Sequence, residues 1–178
     1  MTRPRLAQNL AAVPGLFAQF VEIAQQLPKL GVLRTSNNPA GDYAEWLAEW
    51  VLGGTRQNSS ARGFDIEGKD KKRYEVKAIR RNAKGRAVQF SALRGLDERT
   101  FDSFIGVVFA RNFSVEHALK VPWATVNHLA GPPIKRTGSR TLLYNQKLWT
   151  GAGVEDITKK FQAKIARLNS GTGFGGRA

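Results

Sequence analysis

The first periodic stretch of the chain repeats its apolar residues at helical spacing. From Pro14, a residue suited to the first turn of a helix, Leu16, Phe17, Phe20, Ile23, Ala24 and Leu27 return every three or four positions until Pro28. That pattern predicts an amphipathic helix. A polar break, RTSNNPAG (34–41), separates it from a second one, for which Asn38 is the expected cap and Pro39 the first-turn residue. Along this second helix Tyr43, Trp46, Leu47, Trp50 and Val51 form an apolar stripe. Asp42, Glu45 and Glu49 form an acidic stripe beside it, and Gly53-Gly54 marks the stop.

The period then changes to two. GFDIEG (63–68) and RYEVKAI (73–79) predict two strands joined by a tight turn at residues 69–71, and AVQFSAL (87–93) predicts a third, short one. A helical turn is expected over 96–102. The nearly unbroken apolar run FIGVVFA (104–110) predicts a strand covered on both faces. Another strand is expected over 115–121, with Val115, His117, Leu119 and Val121 on one side. A short helix at 123–129, a strand at 141–149 and a closing amphipathic helix complete the pattern. The closing helix would bury Val154, Ile157, Phe161, Ile165 and Leu168 and expose Lys159, Lys160, Lys164 and Arg167. The expected fold class is α/β, a mixed β-sheet flanked by helices.

Composition sets bounds on this picture. A chain of 178 residues with 42% apolar residues suits one folded domain, expected over residues 1–169, with a Gly-rich and disordered tail at 170–178 (SGTGFGGRA). No apolar run reaches the ~20 residues that cross a bilayer, so no membrane partner is expected. The start MTRPRLAQNLAAVPG lacks the continuous apolar segment of a secretory signal. The absence of cysteine excludes disulfides and thiolate zinc sites and points to the cytoplasm. Charge changes the picture most. Twenty-eight Lys and Arg against fourteen Asp and Glu give a formal +14, an excess that a polyanion such as DNA or RNA would offset.

Candidate chemistry concentrates in the hairpin. On the first strand Phe64 and Ile66 share a face, so Asp65 points to the other; on the second, Glu75 and Lys77 lie opposite Tyr74, Val76 and Ala78. A three-residue turn puts Asp65 across from Glu75, where Cβ atoms of a cross-strand pair are ~4.5–5.5 Å apart. Facing carboxylates repel unless a cation neutralises them, and Mg²⁺ prefers oxygen ligands of this kind. Such an ion can activate water and stabilise charge on a scissile phosphate, with Lys77 placed to assist. An ordinary solvated Glu-Val-Lys face is the alternative. The cations that follow, Arg80, Arg81, Lys84 and Arg86, together with Arg62 and Arg94, are candidate contacts to a phosphate backbone.

Gly63-Phe64-Asp65 followed by Tyr74-Glu75-Val76-Lys77 resembles the PD-(D/E)xK nuclease superfamily, which includes restriction endonucleases, junction resolvases and repair nucleases. The first half reads Gly-Phe-Asp, without the Pro of the motif. The resemblance implies a restriction-endonuclease-like core, a DNA endonuclease activity, and Mg²⁺ (with Mn²⁺ able to substitute) bound by Asp65 and Glu75 while Lys77 serves the attacking water. It also implies a helix-borne acid, for which Glu45 fits best and Glu49 is the reserve. Gln89-Phe90-Ser91-Ala92-Leu93-Arg94, Phe101-Asp102 and Ala118-Leu119-Lys120-Val121-Pro122 resemble a group of small restriction-endonuclease-like proteins, so that the likeness spans roughly 41–129. Gln89 is a candidate polar helper, a surface glutamine being the alternative. Cutting both strands of a duplex would require a homodimer. The competing expectations are a structure-selective repair or junction nuclease and a non-catalytic nucleic-acid-binding protein. His117, His128 and the four tryptophans are expected to be structural.

Overall fold

The computed structural model describes residues 12–35, 38–58, 63–81, 89–90 and 92–170. In chain order its elements are α1 (Val13–Lys29), α2 (Pro39–Leu52), β1 (Thr55–Arg56), β2 (Ile66–Glu67), β3 (Arg73–Arg80), β4 (Ser103–Phe109), β5 (Val115–Pro122), α3 (Trp123–Leu129), α4 (Gln146–Trp149), β6 (Glu155–Asp156) and α5 (Thr158–Asn169). The six strands form one sheet in sequence order. β3 and β4 run parallel and every other neighbouring pair is antiparallel, which makes the sheet mixed as expected.

Local chemistry accounts for the element ends. The Asn38 side chain accepts the N–H of Ala40 at 3.1 Å, the cap anticipated for α2, and Gly53 ends that helix in the left-handed region at φ 63°. Between β2 and β3 the chain turns over Gly68–Lys72, with Gly68 N–H donating to Lys72 O at 2.9 Å. The apolar run of β4 is buried at all seven positions, as a central strand covered on both faces requires.

Two apolar clusters fill the two sides of the sheet. On one side α2 and α5 bring Ala44, Leu47, Ala48 and Phe161 against Ile66, Tyr74, Val76, Ile105, Val107 and Phe109. On the other, Phe90, Leu93, Leu96, Phe101, Val126, Leu142 and Leu148 cover Ile79, Phe104, Val108, Leu119 and Val121. The described part of the connection from β3 to β4, with Phe90, Leu93, Leu96 and Phe101, therefore serves as a plug for this second side. Gly106 on β4 makes room for it: a Cβ there would stand 2.7 Å from Cζ of Phe90 and 2.8 Å from Cε1 of Phe104.

Several expected elements differ. The described part of 87–93 is no strand of the sheet, since Gln89 and Leu93 make only single bridges, to Leu143 and Arg140. The strand expected over 141–149 is instead a loop leading into α4, with the Asn145 side chain accepting from Leu148 N–H at 3.2 Å. Phe90 and Leu93 of the first stretch and Leu142 and Leu148 of the second are instead buried by packing on the sheet face. On β5 a bulge at Glu116 pairs Val108 with His117 but Phe109 with Val115, so Val115 joins the α2/α5 side, opposite His117, Leu119 and Val121. The closing helix starts at Thr158; Glu155–Asp156 before it add the short edge strand β6 to β5. Ser170 follows α5 directly, and the remainder of the expected tail lies outside the described residues. Among the described residues no helix is long and apolar enough to cross a membrane.

Candidate active site

The hairpin β2–β3 carries the site. Its pairs Ile66↔Tyr74 and Glu67↔Arg73 set the register that the sequence predicts, and projected one residue further it places Asp65 opposite Glu75. At that position the ladder changes character. The Asp65 N–H donates to Tyr74 O at 2.9 Å, and the Asp65 carboxylate Oδ2 accepts the N–H of Val76 at 2.7 Å. A side chain thus takes the place of a backbone acceptor and pins Asp65 toward β3.

Glu75 and Lys77 stand on the same face of β3, two residues apart. The Lys77 ammonium forms an ion pair with Glu75 Oε1 and lies 3.7 Å from Oδ2 of Asp65. It also donates to Val76 O at 3.2 Å. One amine therefore touches both carboxylates, which places the three groups at a common point. Glu75 is buried, with 10% of its side chain exposed. Burial raises its pKa from the usual 4.5 to about 7; the Lys77 charge opposes the shift, and the charges of Asp65 and Glu45 add to it. Burial alone would weaken the Lys77 ammonium, but Asp65, Glu75 and Glu45 outweigh it and hold the amine protonated, above its ordinary pKa.

The helix α2 adds Glu45. Its pKa is likewise raised to about 7, first by burial and then by the charge of Asp65, while Arg34 and Lys77 oppose the shift. Glu45 is ion-paired to Arg34, a residue the sequence patterns did not single out. Arg34 is poorly visible in sequence because it belongs to the polar break between two helices and reaches its acid eleven positions away. The other two acids of the stripe have separate work. Asp42 accepts the backbone N–H groups of Arg34 and Thr35, each at 2.8 Å, and so fastens the link from α1 to α2. Glu49 receives Arg56 Nε at 2.8 Å and clamps β1 to α2. Of the two candidates for the helix-borne acid, Glu45 is the one whose charge reaches Asp65, Lys77 and Glu75.

A cavity of about 620 Å³ adjoins the hairpin, lined by Gly63, Phe64, Asp65, Glu75, Arg94, Gly95, Glu98, Thr100 and Thr137. Arg94, in the β3–β4 connection, lines the same cavity as two of the acids and is exposed. Glu98, Thr100 and Thr137 were not anticipated; they come from turns with no periodic or motif signal. The other candidates lie elsewhere. Arg80 lies at the far end of β3, giving both Nε (3.1 Å) and Nη2 (2.7 Å) to Arg111 O, its guanidinium 4.4 Å from the Phe113 ring centroid. Arg81 pairs with Glu116 at the bulge. Gln89 is exposed, bridged to Leu143, and does not line the cavity. Arg62, Lys84 and Arg86 lie outside the described residues.

The donor set is all oxygen, which suits a hard divalent cation. Among the described residues no three carboxylate or imidazole side chains are gathered closely enough to hold a metal ion. Two are reached by one amine, and Mg²⁺ is commonly held by one or two carboxylates, with waters and substrate phosphates completing its shell. The pair Asp65 and Glu75 fits that requirement, while Glu45 is drawn to Arg34. Counted as ionised, Asp65, Glu75 and Glu45 face Lys77 and Arg34, three negative charges against two positive in a half-buried space. Burial first, and the neighbouring carboxylates second, raise the pKa values of Glu75 and Glu45, so the site favours one more proton or one more cation.

His117 packs edge-on against Trp149 (5.0 Å between ring centroids), and Trp123 donates Nε1–H to Leu96 O at 2.9 Å, both structural arrangements. Comparison with protein-family models gives no match, and comparison with curated proteins finds no similar sequence.

Proposed function

We propose that the protein is a Mg²⁺-dependent endonuclease of the PD-(D/E)xK type with a restriction-endonuclease-like core, hydrolysing phosphodiester bonds of cytoplasmic DNA. The observation that carries this reading is the convergence of Asp65 and Glu75 on the Lys77 ammonium at the wall of a cavity that Arg94 also lines. The chain's +14 charge supports a polyanionic substrate.

In this reading Asp65 and Glu75 hold the metal, with Glu45 available if it leaves Arg34. Bound there, Mg²⁺ supplies a water of lowered pKa and charge stabilisation for the phosphate. The chain's own groups do the rest. The Val76 N–H keeps the Asp65 carboxylate turned toward β3. Lys77, beside both carboxylates, would orient the attacking water and stabilise charge on the phosphoryl oxygens. Arg94 receives a neighbouring phosphate in the cavity. Burial of Glu75 keeps bulk water from screening these charges.

The test is a cleavage assay on supercoiled plasmid, branched and mismatched DNA, with Mg²⁺, with Mn²⁺ and with chelator. Metal-dependent nicking that disappears in Lys77→Ala, with retained circular dichroism, is the expected result. Preference for branched or mismatched DNA would assign a repair or junction-resolving role within the same chemistry. No cleavage of any form, with DNA still bound, would overturn the reading in favour of a non-catalytic binding protein.

A further inference from the structure

The helix α1 has no buried residue. Seven of the nine large apolar side chains left exposed among the described residues belong to it or to its C-cap: Val13, Leu16, Phe17, Phe20, Val21, Ile23 and Leu30, with Phe20 66% and Leu16 60% accessible. Among the described residues its C-terminal end is fastened, through Arg56 Nη2 to Gly31 O at 2.7 Å and through the Asp42 contacts to Arg34 and Thr35. A folded protein does not leave such a stripe in water without a use for it.

The spacing of the stripe indicates its occupant. Val13, Leu16, Phe20, Ile23, Leu27 and Leu30 are separated by alternating steps of three and four, the seam by which one helix packs along another of the same kind. Phe17 and Ala24 flank the seam on one side and Gln19 and Gln26 on the other, while Val21, Glu22, Gln25 and Lys29 lie away from it. Two further features point to a second copy. Glu22 and Lys29 are the only charges on the helix, so two copies of a strongly basic chain can meet there without facing like charges. A helix made for lipid surfaces would instead carry Lys and Arg along its polar side. The seam is also open to a partner along its length: Val13, Leu16, Phe20, Ile23 and Leu30 are each between 39% and 68% accessible, so a second copy would cover what this chain does not.

We infer that α1 is a homodimerisation helix whose apolar seam packs against the same seam of a second copy. This stands apart from the nuclease proposal, because it rests on residues outside the candidate site. If both hold, the dimer unites two sites, as cutting both strands of a duplex requires.

The full-length chain should be examined by sedimentation equilibrium over about 1–100 µM, after nuclease treatment and in roughly 0.5 M salt so that nucleic acid cannot bridge copies. The expected result is a species of twice the 19.6 kDa chain mass that becomes monomeric in the Phe20→Glu/Ile23→Glu variant with unchanged circular dichroism. Neither residue is buried, so the variant removes nothing from the core. A Phe20→Cys variant gives a second measurement. The native chain has no cysteine and Phe20 lies near the helix midpoint, so oxidation should link two copies whichever way the helices run. A wild type that is monomeric throughout, including one that binds phosphatidylcholine–phosphatidylserine vesicles through α1, overturns the inference. So does a dimer that persists in the double variant.

Discussion

The carboxylate of Asp65 accepts the backbone N–H of Val76 at 2.7 Å, so a side chain on one strand of the hairpin completes the hydrogen bonding of the other. The contact separates the structural duty of Asp65 from its chemical one. Asp65→Asn keeps an acceptor oxygen and should retain wild-type stability to within about 1 kcal/mol, whereas Asp65→Ala orphans the Val76 N–H and should cost about 1–3 kcal/mol. Both should abolish metal-dependent nicking. Urea denaturation alongside the plasmid assay distinguishes the two effects, and nicking by the Asn variant at the wild-type rate would remove Asp65 from the ligand set.

The buried acids make stability depend on pH. Glu75 and Glu45 have folded pKa values of about 7 against 4.5 in their ordinary state, so the folded protein binds more protons than the unfolded chain between those values. Stability therefore falls as pH rises from about 4.5 to about 7, by roughly 5 kcal/mol at most for the two together. Asp102, Asp70 and Asp156, with pKa values held below 3.8, act in the opposite sense and only in more acid solution. Denaturation midpoints in chelator should decline across that window, and Glu75→Gln should flatten the decline. Mg²⁺ should raise the wild-type midpoint at pH 8 and leave that of Glu75→Gln nearly unchanged.

The acidic stripe of α2 divides by partner. Glu45→Gln should reduce metal-dependent cleavage at least about tenfold, the usual scale for a metal-ligand shell, with modest change in stability. Glu49→Gln breaks the clamp to Arg56 and should cost about 1–3 kcal/mol while cleavage per folded molecule stays near wild type. Cleavage rates normalised to the folded fraction decide between them; equal losses in both variants would contradict the division.

Arg94 and Arg80 should likewise part company. Arg94 lines the cavity beside Asp65 and Glu75, so Arg94→Ala should lower the dependence of log K for duplex DNA on log salt by about 0.9. Arg80 already donates to Arg111 O and covers the Phe113 ring, so Arg80→Ala should change the salt dependence little and stability by about 1 kcal/mol. Salt titrations of DNA binding measure both.

Gly106 pairs with Lys77 across β3 and β4, and its bare Cα admits the Phe90 ring. Gly106→Ala should cost about 1–3 kcal/mol by overpacking two buried rings, seen as a lower urea midpoint at unchanged m-value.

Much of the candidate site was legible in the chain because its parts are local. A hairpin with a short turn and strict alternation fixes which side chains share a face, so Asp65, Glu75 and Lys77 could be placed together from spacing alone. Glu45 was legible as one of three acids on a helical stripe, but spacing could not say which of them would reach the hairpin. Arg34, Arg94 and Thr137 come from segments without periodicity, and nothing local announces their neighbours.

The same division holds for the whole protein. The sequence by itself determined the two N-terminal helices, the central strands with β4 buried on both sides, and the hairpin register, because hydrophobic period and turn residues act over a few positions. Tertiary structure decided the rest. It made the described part of 87–93 a covering segment and 141–149 a loop running into α4, where the pattern suggested strands, and it reversed the facing of Val115 through the Glu116 bulge. It also tied Arg80 and Arg81 to Arg111 and Glu116 and left the seam of α1 uncovered. A periodic pattern states which side of an element is apolar. What stands opposite that side depends on contacts between residues far apart in sequence, and only the folded chain brings them together.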